Sequence, residues 1–225
     1  WGWAMTITVE ATKPREMTVS DLDKIAALHK SCFPASLSIF SALSNGIVRS
    51  FYAQILQETE NYVAVLEDVA TGRLVGMAFG TLKLGVQNRF VKQHIIRFAA
   101  SFIARAFVSP AIWKYVWKLL FEKTGLGLRT YDQVLEQAGV PSPKGPEAFF
   151  VLLGVHPKWR GGGNAERMVK YFTTQMFKTG AVRIRGAIRS DNIPSLILHK
   201  RLGWNSKKVL PSEISVWIDR PGSDL

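Results

Sequence analysis

Cysteine is almost absent from this chain of 225 residues: Cys32 is the only one, so no intrachain disulfide can form. Stability must then come from a packed core, and a reducing, cytoplasmic compartment is the expectation. The segment Lys30-Ser31-Cys32-Phe33-Pro34 has no feature that would activate the thiol, which assigns Cys32 to packing. Acid is also scarce. Seventeen Asp+Glu stand against 29 Lys+Arg, a net charge of +12. Such a surface attracts nucleotides, phosphorylated sugars, acidic carrier proteins, anionic lipid or nucleic acid, and charge alone does not choose among them. No apolar run reaches the roughly 18 residues of a membrane span. The opening Trp1-Gly2-Trp3-Ala4-Met5 is not the charged-then-apolar start of a secretory leader. Repeats and low-complexity tracts are missing too. What remains is 47% hydrophobic and 20% charged, an ordinary globular balance over a length that suits one core, so residues 1–225 read as one domain.

Periodicity orders the elements. Thr6 to Glu10 alternates β-branched and polar residues as a strand does, with Arg15 to Val19 as an extension. Ser20 reads as the N-cap of a helix carrying Ile25, Leu28 and His29, and Pro34 ends that segment. A second helix is expected over Ser44 to Glu58, with Ile47, Phe51, Ile55 and Leu56 inward. Strands at Asn61 to Leu66 and Leu74 to Leu82 flank a turn at Asp68 to Gly72, a hairpin. Glu147 to Val155 is an apolar strand bounded by the breakers Pro141 to Pro146. Then come a helix at Ala165 to Lys178, a strand at Val182 to Ile188, a helix at Ile193 to Leu202 and a strand at Glu213 to Ile218. The alternation in the second half indicates an α/β fold with mixed strand directions.

Between the strand ending at Val155 and the helix from Ala165 lies Arg160-Gly161-Gly162-Gly163-Asn164. A pyrophosphate needs several N–H donors converging on it without side chains in the way, and a glycine turn entering a helix N-terminus supplies them. A glycine triplet alone is as easily a flexible turn; the apolar strand before it and the amphipathic helix after it favour the binding loop. The loop lacks the Gly-Lys-Ser/Thr of a P-loop. It also lies too late in the chain for a dinucleotide fingerprint and is followed by Arg183 and Arg185, with no ribose-binding acid.

The run Val155-x-Pro157-x-x-Arg160-Gly161-x-Gly163-x-Ala165 resembles the acetyl-CoA loop of the GNAT superfamily of N-acetyltransferases. A second segment, Asn192-Ile193-Pro194-Ser195-Leu196-Ile197-Leu198-His199-Lys200-Arg201-Leu202-Gly203-Trp204, is similar to that family's Asn-x-x-Ala … Leu-Tyr-x-Lys-Leu-Gly-Phe stretch. The resemblance covers roughly residues 6–84 and 147–218. It implies a mixed, mostly antiparallel central sheet flanked by helices, to which this chain adds a helical insertion before the cofactor-binding strand. It implies acetyl-CoA as acyl-donor substrate, held by the amides of Arg160, Gly161, Gly162, Gly163, Asn164 and Ala165. Leu153, Gly154 and Val155 would lie along the pantetheine, with Asn192 near it. An amine would attack the thioester directly, the enzyme positioning reactants and managing protons.

Two residues are candidates for the protons. His199 stands where the family has Tyr and could protonate the leaving thiolate or relay a proton through water; equally, it could simply pack. Glu147 is the only acid on its strand and, eight residues before Val155, shares that residue's face by parity; against a role as base stands its place at the strand start. His156 ranks below both. No His/Cys/Asp/Glu spacing indicates a metal, and no Gly-x-Ser-x-Gly is present.

Residues 85–146 are an insertion relative to that family. From Arg89 to Arg129 eight basic residues accompany one acid, Glu122, amid many aromatics. Helices are expected from Phe90 to Phe107 and from Pro110 onward. Three uses stay open: a wall of the acceptor pocket, a cationic surface on anionic membrane, or a dock for an acidic carrier protein. Nucleic acid is disfavoured, since large apolar side chains interleave the basic ones. The leading function is transfer of acetyl to a primary amine of a small, anionic acceptor such as an amino sugar or sugar nucleotide. The alternatives are a long-chain acyl-CoA or acyl-carrier-protein N-acyltransferase near a membrane's inner face, and a non-catalytic CoA-binding regulator. Oligomeric state is not legible.

Overall fold

The computed structural model describes residues 11–34, 38–83, 90 and 131–222. Among the described residues seven strands form one sheet: β1 (Thr12–Glu16), β2 (Asn61–Asp68), β3 (Leu74–Thr81), β4 (Glu147–Val155), β5 (Arg183–Arg189), β6 (Asn205–Leu210) and β7 (Glu213–Asp219). Their spatial order is β1-β2-β3-β4-β5-β7-β6, antiparallel throughout except for the parallel β4–β5 pair. The helices are α1 (Leu22–Cys32), α2 (Ile39–Ala42), α3 (Asn45–Ile55), α4 (Tyr131–Gln137), α5 (Asn164–Lys178) and α6 (Ile193–Arg201).

The first described strand is Thr12–Glu16, which includes Arg15 and Glu16 of the expected extension; the strand expected at Thr6 to Glu10 lies outside the described residues. Its Pro14 can sit there because β1 is an edge and pairs only with β2. The turn into α1 begins at Thr18 rather than Ser20. The Asp21 carboxylate accepts from the Thr18 N–H at 2.9 Å, and Arg15 grips the same carboxylate at 2.7 and 2.9 Å. Ser44 caps α3 by accepting from the Ile47 N–H at 3.4 Å.

Both faces of the sheet are covered, so β3 is buried at every residue and shows no alternation. On one side α1 and α3 press Ile25, Leu28, Phe51 and Tyr52 onto Val65, Met77 and Phe79. Opposite, α5 and the chain around α6 cover Ala78, Phe150, Ile184 and Val216 with Met168, Phe172, Met176 and Trp204. Each such side chain contributes about 1.5–3 kcal/mol on burial. Gly80 is obligatory there: a Cβ would meet the Phe172 ring at 2.3 Å. Leu135 on α4, with Val140, packs against Trp217. Of the expected insertion helices only Phe90 is described, buried against Phe40 and Phe51. The rest of residues 84–130 lies outside the described residues.

Two features of β4 position the site. Its pairing with β5 covers only Glu147 to Phe150, opposite Arg183 to Gly186. Beyond that, β4 pairs with β3 alone and β5 with β7 alone, so the two parallel strands part like a wedge. The register to β3 also slips: Gly80 faces Phe150 and Phe79 faces Leu152, leaving Val151 as an extra, exposed residue. A bulge of this kind bends its strand and shifts the alternation by one. Phe150 accordingly packs on the α5 side, and Leu152 on the α1 side.

Candidate active site

The donor loop is built where β4 ends. His156 opens a single helical turn, Pro157–Trp159, and accepts from the Lys158 N–H at 3.3 Å. Gly161 (φ +98°) and Gly163 (φ +76°) both occupy the left-handed region, which only glycine enters without strain. A side chain added at Gly161 would point into open space, so the loop's outer side is free to take a ligand. Gly163 is the N-cap of the 15-residue α5, and the first helical bond runs from the Arg167 N–H to the Gly163 carbonyl at 3.0 Å. The amides of Asn164, Ala165 and Glu166 precede it and have no acceptor one turn back, the arrangement that receives an anion.

The side chains of the loop do other work. Arg160 donates to the Val155 carbonyl at 3.0 Å and to the Cys32 carbonyl at 3.3 Å, tying the loop to the ends of β4 and α1. Buried Asn164 donates to the Trp159 carbonyl at 2.9 Å and accepts from the Thr12 hydroxyl at 2.9 Å. Arg167 reaches the same hydroxyl at 2.7 Å, and the Thr12 carbonyl as well. Glu166 links the start of α5 to the end of α6 through Arg201 at 2.6 Å. Thr12 and Arg167 are the supports that sequence reading missed. Arg167 carried a faint signal, one turn into the helix; Thr12 carried none, being 152 positions from its partner.

Leu153, Gly154 and Val155 form the β4 arm of the wedge, past its last contact with β5. Gly154 faces α1, where a Cβ would come within 2.9 Å of the Phe33 ring. Asn192 caps α6, its side chain accepting from the Ser195 N–H at 3.4 Å.

His199 lies at the wedge's apex, against the Phe150 ring at 5.9 Å and perpendicular to Trp204 at 4.8 Å. Its Nδ1 sits 2.8 Å from the Ser195 carbonyl, which can only accept, so Nδ1 carries the proton. Nε2 is buried with no partner. Burial pushes the imidazole below its ordinary range, with the Ser195 carbonyl opposing the shift. The ring is therefore neutral, with a lone pair at Nε2 ready to accept. A buried nitrogen left without a partner costs about 1–3 kcal/mol unless a water or a ligand meets it.

Glu147 is placed elsewhere. The extra residue at Val151 intervenes, so Glu147 and Val155 lie on opposite faces and the parity expectation fails. Both carboxylate oxygens of Glu147 are taken by Arg185, at 3.0 and 2.7 Å. Arg185 in turn stacks over Tyr131 and Phe149 at 5.4 and 5.1 Å. Buried Cys32 is free, its thiol pushed up to about 12 by burial, which suits packing. Among the described residues no group of three or more His, Cys, Asp or Glu could hold a metal ion, and no helix is long and apolar enough to cross a membrane.

A parted parallel strand pair, with a glycine-capped helix start at its mouth, is an arrangement that can receive an anionic group. The acetyltransferase (GNAT) family model matches residues 22–204, and the chain belongs to that family. The fold is shared with solved structures of low identity. A mosquito arylalkylamine N-acetyltransferase-like 5b aligns with TM-score 0.56 and 16% identity over 93% of this chain and 100% of its own. The PaiA N-acetyltransferase of Thermoplasma acidophilum, in complex with coenzyme A, gives 0.55 and 8% over 93% and 99%. An N-acetyltransferase of Staphylococcus aureus Mu50 gives 0.54 and 12% over 92% and 98%. No curated protein matches the sequence.

Proposed function

We propose that this acetyltransferase moves an acetyl group from acetyl-CoA to the primary amine of a small, anionic acceptor, of the class of amino sugars and sugar nucleotides. The wedge carries the reading: β4 leaves β5 after Phe150, below a loop that is open on its Gly161 side. Within the loop from Arg160 to Ala165, the Asn164 and Ala165 amides at the start of α5 fit the donor's pyrophosphate, while the Arg160 and Gly163 amides already donate to the Pro157 and Gly161 carbonyls. The edge of β4 from Leu153 to Val155 that has no β5 partner fits its pantetheine, and Asn192 is assigned beside it. When bound, acetyl-CoA supplies an activated thioester, and the residues around it hold the two reactants together.

In this reading His199 accepts rather than gives. An acceptor arrives as an ammonium, and the Nε2 lone pair takes that proton through a relaying water. The amine's next proton leaves on the departing sulfur, so protons balance without a separate acid. Glu147 is left to anchor Arg185. The net charge of +12 favours an anionic acceptor. A reducing, cytoplasmic setting accords with one buried, free cysteine.

A thiol-release screen tests this, pairing acetyl-CoA and longer acyl donors with panels of anionic, neutral and cationic amines. Release with acetyl-CoA and anionic amines is expected. Rates rising with chain length would replace it with a long-chain acyltransferase, and tight CoA binding without release against any amine with a regulator.

A further inference from the structure

On the α1 side of the sheet, away from the wedge, a pocket of about 270 Å³ lies between α1, the β2–β3 turn and the exit of β4. Lys24, Ala27, Leu28 and Ser31 form one wall, Thr71, Gly72, Arg73 and Leu74 the other, and His156 closes the end. No carboxylate lines it. Its charged side chains and its imidazole are donors. Lys24 is steered inward by its bond to the Gly72 carbonyl at 3.1 Å. No side-chain hydrogen bond or ion pair engages the Arg73 guanidinium among the described residues. His156 takes the Lys158 N–H at Nδ1, so its neutral ring presents Nε2–H. Thr71 and Ser31 have their hydroxyl protons committed, to Asp68 and to the Ala27 carbonyl. The floor is apolar, from Ala27, Leu28 and Leu74.

We propose that this pocket binds a phosphate monoester, with the Arg73 fork and the Lys24 ammonium on the phosphate and the apolar floor under the group that bears it. A guanidinium fork matches phosphate oxygens in two parallel bonds, and the Lys24 ammonium adds a second charge. His156 supports the reading. Its imidazole is held below the ordinary range by burial and by the cations of Arg73, Lys158 and Arg160, so a bound dianion relieves a local surplus of positive charge. Because His156 leads directly into the donor loop, the occupant has two sources: the 3′-phosphate on the nucleotide end of coenzyme A, or a separate phosphorylated metabolite. Only the first rests on the donor assignment.

Inorganic phosphate, titrated by calorimetry and by the NMR signals of His156, tests the site without any donor. Wild-type protein should bind it, and Arg73→Ala should weaken binding about tenfold or more. The melting temperature should not move, since Arg73 is exposed. Arg73→Lys should recover part of the affinity. Binding unchanged in Arg73→Ala, or no binding by the wild type at millimolar phosphate, overturns the proposal even if donor binding is intact. The source is read by comparing acetyl-CoA with acetyl-3′-dephospho-CoA. A preference for the former that vanishes in Arg73→Ala assigns the pocket to the nucleotide; equal KM values with Arg73-dependent phosphate binding assign it to a metabolite.

Discussion

Two buried histidines sit on opposite faces of the same sheet and differ in one respect. His29, on the α1 side, has both ring nitrogens engaged, Nδ1 with the Tyr52 hydroxyl at 2.9 Å and Nε2 with Ser38 Oγ at 3.0 Å. His199, on the α5 side, has one nitrogen engaged and one open. Both are 2% exposed, so burial does not distinguish them. Saturation does: His29 has its bonds made locally and holds the fold, while His199 keeps one nitrogen for a further partner. Glu147, with both oxygens on Arg185, belongs with His29.

The sharpest way to break that division is at Glu147. Glu147→Gln leaves Arg185 buried beside a neutral partner and should cost about 3–5 kcal/mol of stability. Turnover per folded molecule should stay the same. Denaturant unfolding alongside thiol release measures both, and lost turnover at intact stability would restore Glu147 as the base.

His29 should govern the acid limb of stability. Burial holds its imidazole down, from 6.5 to about 4, so the unfolded chain takes up the proton first. The neutral ring's contribution is complete above pH 6.5 and disappears as pH falls towards 4, a loss of roughly 3 kcal/mol. In His29→Leu the unfolding free energy should vary less between pH 7 and 4, and an identical slope would contradict this.

His199→Phe keeps a ring between Phe150 and Trp204 and removes the lone pair. It should lower kcat about a hundredfold, at the low end for a general base, with little change in melting temperature. The acid limb of the wild-type kcat should lie below that of an ordinary imidazole, because burial lowers the His199 ring. Unchanged turnover in the variant would move His199 into the saturated class.

The smallest effect is expected at the loop. Gly163→Ala puts a Cβ on a left-handed residue at roughly 1–2 kcal/mol, which should weaken coenzyme A binding about tenfold, as calorimetry can measure.

Much of this was legible. Val155 to Ala165 announced itself because an apolar strand, a glycine run and an amphipathic helix have separate local signatures, and β4 and α5 fell within a residue of their expected bounds. Exposed edges were not. In β6, Asn-Ser-Lys-Lys-Val-Leu is almost wholly in solvent, so no burial alternation marks it. Nor did Thr-Lys-Pro at the start of β1 look like a strand, since its proline is tolerated only at an edge; Arg15 and Glu16 alone fell in an expected extension. The short α4 was hidden for want of length. Parity misled at Glu147 because an extra residue in a ladder leaves no mark in composition. The tautomer of His199 depends on a carbonyl one turn away, which sequence places only once the helix is known.

That extra residue makes β4 modular. Gly80 faces Phe150 and Phe79 faces Leu152, so a chain lacking Val151 would keep every remaining side chain of the strand on its present face. The core would be sorted as before. What would go is the bend, and with it the reason for two parallel neighbours to separate. The opening of this enzyme is thus an insertion of one residue into an otherwise regular strand, removable without disturbing the layers it divides.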